Sequence, residues 1–153
     1  MRISQLVQDS IVDGPGLRFV VFTQGCTHAC PHCHNPGTHD LAGGVEMNPE
    51  EVIAEMERNP LTDGLTLSGG EPFLQSEDCA KIARAARQGG LNVWCYTGYT
   101  LETLKKMPGA QVLLDEIDVL VDGLFMQEQK NLRLPWRGSE NQRIIERNCF
   151  DGF

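Results

Sequence analysis

Residues 17–34 read LRFVVFTQGCTHACPHCH. The continuous apolar run Phe19–Phe22 is typical of a β-strand that is buried on both faces, as strands of parallel sheets are. Three cysteines follow this strand within one short loop, at positions 26, 30 and 33, with C-x3-C-x2-C spacing. Ligands bind at the carboxyl ends of parallel strands. The stretch therefore predicts a parallel α/β protein with a site at one edge of its sheet.

Strand and helix patterns alternate along the rest of the chain, which predicts an α/β fold with a mostly parallel sheet. The predicted strands are Leu17–Gln24, Gly64–Ser68, Leu91–Thr97 and Asp118–Asp122, with a short edge strand at Ile3–Val7. The predicted helices begin at Pro49 with Asn48 as N-cap, run from an N-cap at Ser76 to Gly89, and cover Thr100–Met107. Polar or glycine-rich segments follow four of these strands, so we expect them to share one site.

The composition is that of an ordinary globular protein, with 41% hydrophobic and 22% charged residues. A length of 153 residues predicts one domain over residues 1–153, and the pattern becomes irregular from about residue 124. The formal net charge of −8 argues against a nucleic-acid partner. No apolar run approaches the ~20 residues of a membrane span, and the first ten residues lack a signal-peptide layout. We therefore expect a cytoplasmic protein that binds neither nucleic acid nor membrane.

The cysteine loop predicts a metal centre, because thiolates are soft ligands that suit zinc or iron–sulfur clusters. A structural zinc site needs a fourth protein ligand, for which His28, His32 and His34 are candidates. A [4Fe–4S] cluster held by three cysteines instead leaves one iron open to a substrate or cofactor. No Asp, Glu, Lys or Arg occurs from Phe19 to His39, and an anionic cluster favours such an uncharged shell. The spacing favours an iron–sulfur cluster over zinc.

Six stretches together carry a family resemblance. They are Val12–Gly16, Gly25–Asn35, Leu67–Pro72, Val93–Tyr99, Val119–Gly123, and Trp136–Ser139 with Asn141 and Gln142. The chain resembles the radical S-adenosylmethionine (SAM) enzymes and, more narrowly, the activating proteins of anaerobic (class III) ribonucleoside-triphosphate reductase. The Asp-Gly-Pro-Gly motif at 13–16 is shared among activases of glycyl-radical enzymes, whereas Trp-Arg-Gly-Ser at 136–139 and the short length indicate the reductase activators.

This resemblance implies a compact partial (βα) barrel and an oxidoreductase with two cofactors, a [4Fe–4S] cluster and SAM. Cys26, Cys30 and Cys33 would bind three irons, and the fourth iron would bind the amino and carboxylate groups of SAM. Reductive cleavage would yield a 5′-deoxyadenosyl radical, which would take a hydrogen atom from a glycine of the reductase. The implied partners are that reductase and a low-potential electron donor such as flavodoxin or ferredoxin.

Further residues are expected to bind the cofactor or the partner. Ser68, Gly69, Gly70 and Glu71 would approach the methionine end of SAM, since two glycines let the backbone come close. Tyr96 and Thr97 end a strand at the same edge. His32 replaces the aromatic residue that usually precedes the third cysteine and contacts adenine. Trp136 and Arg137 are expected to dock the reductase, since Arg grips carboxylates and Trp offers a flat surface.

Other interpretations remain open at this point. The chain could activate another glycyl-radical enzyme of the formate-lyase type, or it could be a non-catalytic zinc or iron–sulfur protein. The other three cysteines are expected to be bystanders. Cys79 and Cys95 fit buried apolar positions, whereas Cys149 fits the surface. The basic segment Lys130–Arg147, with five basic and two acidic residues, is expected to be mostly a solvated face.

Overall fold

The computed structural model of the chain describes residues 1–28, 37, 40–131 and 133–152. These residues form seven strands: β1 (Arg2–Ser10), β2 (Arg18–Thr23), β3 (Val45–Glu46), β4 (Gly64–Gly69), β5 (Asn92–Tyr96), β6 (Val119–Asp122) and β7 (Arg143–Glu146). Its α-helices are α1 (Pro49–Glu57), α2 (Ser76–Gln88), α3 (Leu101–Lys106) and α4 (Gln111–Leu114). Short 3-10 helices cover Pro72–Gln75, Gln127–Gln129 and Arg147–Gly152.

All seven strands form one sheet in the order β3-β1-β2-β4-β5-β6-β7. The four central strands β2, β4, β5 and β6 are parallel, whereas β1, β3 and β7 pair antiparallel at the two sides. These central strands are the four predicted from the sequence, with ends that differ by at most one residue. The predicted α/β class with a mostly parallel centre is confirmed.

Three local predictions need correction. The strand predicted at Ile3–Val7 extends over Arg2–Ser10 and is not an edge strand, because the two-residue β3 pairs with its outer side. Ser76 is the first residue of α2 and not its N-cap; its hydroxyl donates to the carbonyl of Phe73 in the preceding 3-10 turn. The segment after residue 124, predicted to be irregular, contains β7.

The helices cover one face of the sheet and build the main core there. Alternate strand residues Phe19, Val21, Leu65, Leu67, Val93, Cys95 and Leu120 belong to this cluster. The helices contribute residues three or four positions apart or one turn further along, which lie on one helical face: Val52 and Met56 of α1 and Cys79, Ile82, Ala83 and Ala86 of α2. Cys79 and Cys95 are fully buried, as expected, and burial raises the pKa of both thiols.

Arg18 lies on the opposite face of the sheet and is completely buried. Its guanidinium donates to the hydroxyl of Thr66 at 2.7 Å and to the carbonyls of Pro15 at 2.9 Å and Leu65 at 2.7 Å. Among the residues that the structure describes, no carboxylate pairs with it directly. Burial lowers the pKa of Arg18 to about 10, so the side chain keeps its charge at neutral pH. It fastens the Asp-Gly-Pro-Gly turn to the amino ends of the parallel strands.

Among the residues that the structure describes, none of the helices has the length and hydropathy of a membrane span.

Gly64, the first residue of β4, should tolerate no side chain. A Cβ at this position would lie 2.5 Å from Nη1 of Arg18. Overpacking of a buried site of this kind costs about 1–3 kcal/mol of unfolding free energy. We expect Gly64→Ala to lower the urea midpoint of the apoprotein accordingly. Gly89→Ala is the matched control, because its Cβ would meet only ordinary contacts at 3.5 Å. Equal midpoints for the two variants would contradict this role of Arg18.

Candidate functional site

The loops after the four parallel strands meet around one cavity of about 110 Å³ at the carboxyl edge of the sheet. Six residues that were predicted to bind the cluster or SAM line it: Cys26, Ser68, Gly69, Gly70, Tyr96 and Thr97. His28, Gly98, Gly123, Phe125 and Gln142 complete the wall. Cys30, His32 and Cys33 are outside the described residues, as is His34.

A more open cleft of about 580 Å³ shares His28, Gly98 and Gly123 with this cavity. Tyr99, Leu124 and Met126 give it apolar walls. Ligand pockets are typically about 300–1,000 Å³ in volume. The cavity and the cleft together therefore have room for a molecule of nucleoside size beside Cys26.

The two glycines after β4 let this loop lie directly against the start of the cysteine loop. Gly69 has a φ of +95°, a conformation that glycine adopts without strain. The amide of Gly70 donates to the carbonyl of Thr23, and the amide of Glu71 donates to the carbonyl of Gly25, both at 2.8 Å. A Cβ at position 70 would lie 2.3 Å from the carbonyl oxygen of Gly25. Position 70 therefore requires glycine because the backbone of Gly25 lies against it, whether or not a cofactor is present.

Glu71 is completely buried and lies behind the cavity wall. Its Oε2 accepts from the hydroxyl of Thr97 at 2.8 Å and from the amide of Phe73 at 3.1 Å. Its Oε1 accepts from the amide of Gly98 at 2.8 Å and contacts Nε2 of His28 at 2.7 Å. Glu71 is therefore a buried carboxylate that links these loops, not an exposed residue of a turn.

His28 is the residue of the cysteine loop that meets this carboxylate. Its ring packs edge-on against Tyr99 with centroids 4.4 Å apart. A Cβ at Gly98 would lie 2.6 Å from the ring, so glycine is needed to seat it. The sequence left the role of His28 open, because a histidine that lies between cysteines can also be a zinc ligand.

Gln24 fastens the base of the cysteine loop, and sequence reasoning missed it. Its side-chain amide donates to the carbonyl of Gly37 at 3.1 Å and to that of Asp40 at 2.8 Å. The side chain of Gln75 in turn donates to the backbone carbonyl of Gln24 at 3.2 Å. The outgoing and returning ends of the loop are thus held together. An isolated glutamine gives no signal in a sequence that would identify such contacts.

Asp122, the last residue of β6, is a buried structural carboxylate. It accepts from the amide of Leu101 at the start of α3 at 2.8 Å and from Nε of Arg143 at 2.9 Å. Arg143 also donates to Glu102 at 2.6 Å. Hydrogen bonds with Asp122 and Glu102 raise the pKa of Arg143. The expectation of a solvated basic face is therefore wrong for Arg143, which holds β7 to the end of β6.

Trp136 and Arg137 lie away from the cavity, in a turn that is tied to the end of β6. Trp136 has a φ of +64°, the one positive value that a non-glycine residue takes in the described part of the chain. Its ring meets Trp94 edge-on at 6.3 Å, on the face of the sheet opposite the helices. Arg137 donates to the carbonyl of Gln142 at 2.6 Å, and the Gln142 side chain donates to the carbonyl of Gly123 at 3.1 Å.

Comparisons with known proteins agree with this architecture. The family described as a 4Fe-4S single cluster domain matches residues 12–145. Among solved structures, QueE from Escherichia coli resembles the chain with a TM-score of 0.54 at 18% identity, covering 65% of this chain and 53% of that one. That likeness concerns the fold alone.

Curated relatives match over nearly the whole chain. An anaerobic ribonucleoside-triphosphate reductase-activating protein of Vibrio cholerae is 38% identical, with coverage of 94% of this chain and 97% of its own. Proteins of the same name from Escherichia coli K12 and Enterobacteria phage T4 are 36% and 32% identical, with coverage of 94% of this chain and 97% and 93% of their own.

The fold, the cysteine loop at its carboxyl edge and the matched family define a [4Fe–4S] domain of the radical SAM type. Within that class, the chain belongs to the anaerobic ribonucleoside-triphosphate reductase-activating proteins. The predicted superfamily, activase function and two cofactors are confirmed, and the alternatives are not favoured.

The residues present fit these cofactors. Cys26 supplies a thiol at the cavity wall, and the backbone of Gly69 and Gly70 lines the same wall without side chains. Such a surface offers polar main-chain groups to the amino end of SAM at short range.

Gly70→Ala should disturb the cysteine loop, because the new Cβ would displace the carbonyl of Gly25. Backbone cannot move aside as a flexible side chain can, so we expect about 1–3 kcal/mol of local strain next to Cys26. The iron and sulfide content after anaerobic reconstitution should then fall below that of the wild type. Gly89→Ala should reconstitute fully, and equal cluster content in both variants would contradict the predicted contact.

Proposed function

We propose that this chain is the activase that generates a glycyl radical on anaerobic ribonucleoside-triphosphate reductase. One observation carries the proposal. Cys26 and the glycine pair after β4 line one cavity at the carboxyl edge of the parallel strands. This arrangement occurs in a chain whose relatives are named as activating proteins of that reductase.

In this proposal Cys26, Cys30 and Cys33 bind three irons of the cluster. The backbone at Ser68–Gly70 binds the methionine end of SAM. Tyr96 and Thr97 lie at the cavity beside it, and His32 is proposed to contact the adenine. When bound, the two cofactors supply one-electron chemistry: reductive cleavage of SAM and hydrogen abstraction from a glycine of the reductase.

The chain itself contributes position and exclusion of water. Burial raises the pKa of Tyr96, so its phenol stays protonated at the cavity wall. The hydroxyl of Thr97 already donates to Glu71 and accepts from the amide of Tyr99, so it is a fixed part of the wall. A preformed wall of this kind lowers the entropy lost when a cofactor is oriented.

The proposed partners are the reductase and a low-potential electron donor such as flavodoxin or ferredoxin, all in the cytoplasm. Trp136 and Arg137 are proposed to contact the reductase. The internal bonds of Arg137 support a role in shaping this turn, which would present Trp136 in a defined orientation.

The function is tested with anaerobically reconstituted protein, SAM and dithionite. We expect a [4Fe–4S] electron paramagnetic resonance signal that changes when SAM is added, and formation of 5′-deoxyadenosine. Addition of the reductase should produce a glycyl radical on that partner. A protein that holds zinc without iron, or a cluster whose signal ignores SAM, would contradict the proposal.

Cys30→Ala should abolish stable cluster binding, because the remaining two thiols cannot hold three irons. Iron content and 5′-deoxyadenosine formation measure the loss. The matched control is Cys149→Ala, which removes an exposed thiol near the end of the chain and should leave both quantities unchanged. Retention of cluster and cleavage activity in Cys30→Ala would contradict the ligand assignment.

Arg137→Ala should slow glycyl-radical formation while cluster content and uncoupled SAM cleavage stay at wild-type levels. Loss of the bond to Gln142 would loosen the turn and weaken docking by about tenfold, as expected for a hydrogen bond from a charged group. Arg133, which is exposed nearby, provides the control variant Arg133→Ala. Unchanged activation kinetics in Arg137→Ala would remove this residue from the docking surface.

A further inference from the structure

We propose that Glu71 is a positioning residue, whose buried carboxylate holds His28 and thereby fixes Cys26 relative to the loop after β5. This inference rests on the proposed function and goes beyond it. It gives the Glu71 side chain a role other than direct binding of SAM, and it gives His28 a role other than metal ligation.

The carboxylate of Glu71 joins three separate loops. It accepts from Phe73 in its own loop, from Thr97 and Gly98 after β5, and from His28 in the cysteine loop, at distances of 2.7–3.1 Å. A carboxylate has about four lone-pair sites. All of them are engaged with protein donors, so no acceptor site is left for a cofactor.

Residue 71 holds the chain on both sides of Cys26. Its amide donates to the carbonyl of Gly25 at 2.8 Å, and its carboxylate contacts Nε2 of His28 at 2.7 Å. The positions immediately before and two residues after Cys26 are therefore fixed to one residue. Because that residue is itself bonded to Thr97 and Gly98, the thiol is held at a defined place relative to the opposite wall of the cavity.

The surroundings of His28 are built to seat its ring. The side chain is only 12% exposed, Tyr99 packs against it edge-on, and Gly98 leaves the space that the ring occupies. A carboxylate oxygen accepts, so the ring Nε2 donates to it, which fixes the orientation of the imidazole.

The test compares His28→Ala, His28→Gln, Glu71→Gln and the double variant His28→Ala/Glu71→Gln. A glutamine amide at position 28 can donate to the carboxylate as the imidazole does, so His28→Gln is the conservative rescue. The matched control is Glu116→Gln, which removes a carboxylate paired with Arg84 and Arg87 outside both cavities. Each protein is reconstituted anaerobically, and 5′-deoxyadenosine formation is measured as a function of SAM concentration.

We expect His28→Ala to raise the KM for SAM by about tenfold or more, the effect of losing one hydrogen bond to a charged group, with a much smaller change in kcat. His28→Gln should recover most of this loss. The double variant should be no worse than the poorer single variant, because the two side chains act through one contact. Glu116→Gln should match the wild type.

Amide hydrogen exchange of the apoprotein gives a readout that does not depend on the cofactors. Glu71→Gln should increase exchange at Gly98 and Phe73, whose amides bond to the carboxylate, and His28→Ala should increase it at Gly98. If the wild type forms no 5′-deoxyadenosine, the proposed function fails, and exchange still tests the contact. Increased exchange with an unchanged KM would overturn the positioning role. The positioning role would also be overturned if the rise in KM for SAM in the double variant equalled the product of the rises in the two single variants.

Discussion

The buried carboxylate of Glu71 is the interaction on which the arrangement of the site depends. Removing a charged group from water is costly unless hydrogen bonds replace its hydration. Here two amides, one hydroxyl and one imidazole do so, and they come from three loops that are distant in sequence. Because the cost is recovered only when all these donors converge, the carboxylate favours one relative arrangement of the loops. The relative arrangement of the loops is thus determined by a polar contact, because the apolar core alone does not specify it.

A second buried charge organises the opposite edge of the same strands. Arg18 lies at the start of β2 and bonds to the starts of β4 and β5 through the carbonyls of Leu65 and Asn92. It also holds the Asp-Gly-Pro-Gly turn through the carbonyl of Pro15. The parallel strands are therefore fastened by a guanidinium at their amino ends and by a carboxylate near their carboxyl ends. Three of the four partners of Arg18 and two of the four partners of the Glu71 carboxylate are backbone groups, so both charges fix main-chain geometry directly.

The strands and the glycine pair could be predicted because their signals are local. A run such as Phe19–Phe22 indicates a buried strand by itself, and the order of strands and helices then brings Cys26 and Gly69–Gly70 to one edge. The contacts of Gln24, of His28 with Glu71 and of Asp122 with Arg143 could not be predicted. Each joins side chains to groups that become neighbours only after folding. β7 was missed because a four-residue strand in a polar segment has too short a pattern to recognise.

The cysteines lie in a stretch of sequence without charged residues, yet the fold brings a carboxylate close to their loop. No ionisable carboxylate or amine occurs between Phe19 and His39 in the sequence, which suggests a neutral shell for an anionic cluster. The fold nevertheless brings the carboxylate of Glu71 to 2.7 Å from His28, two residues after Cys26. The repulsion expected from a nearby carboxylate is reduced by its donors, whose positive ends surround both oxygens. A carboxylate can therefore lie close to the cysteine loop because both of its oxygens accept hydrogen bonds from protein donors.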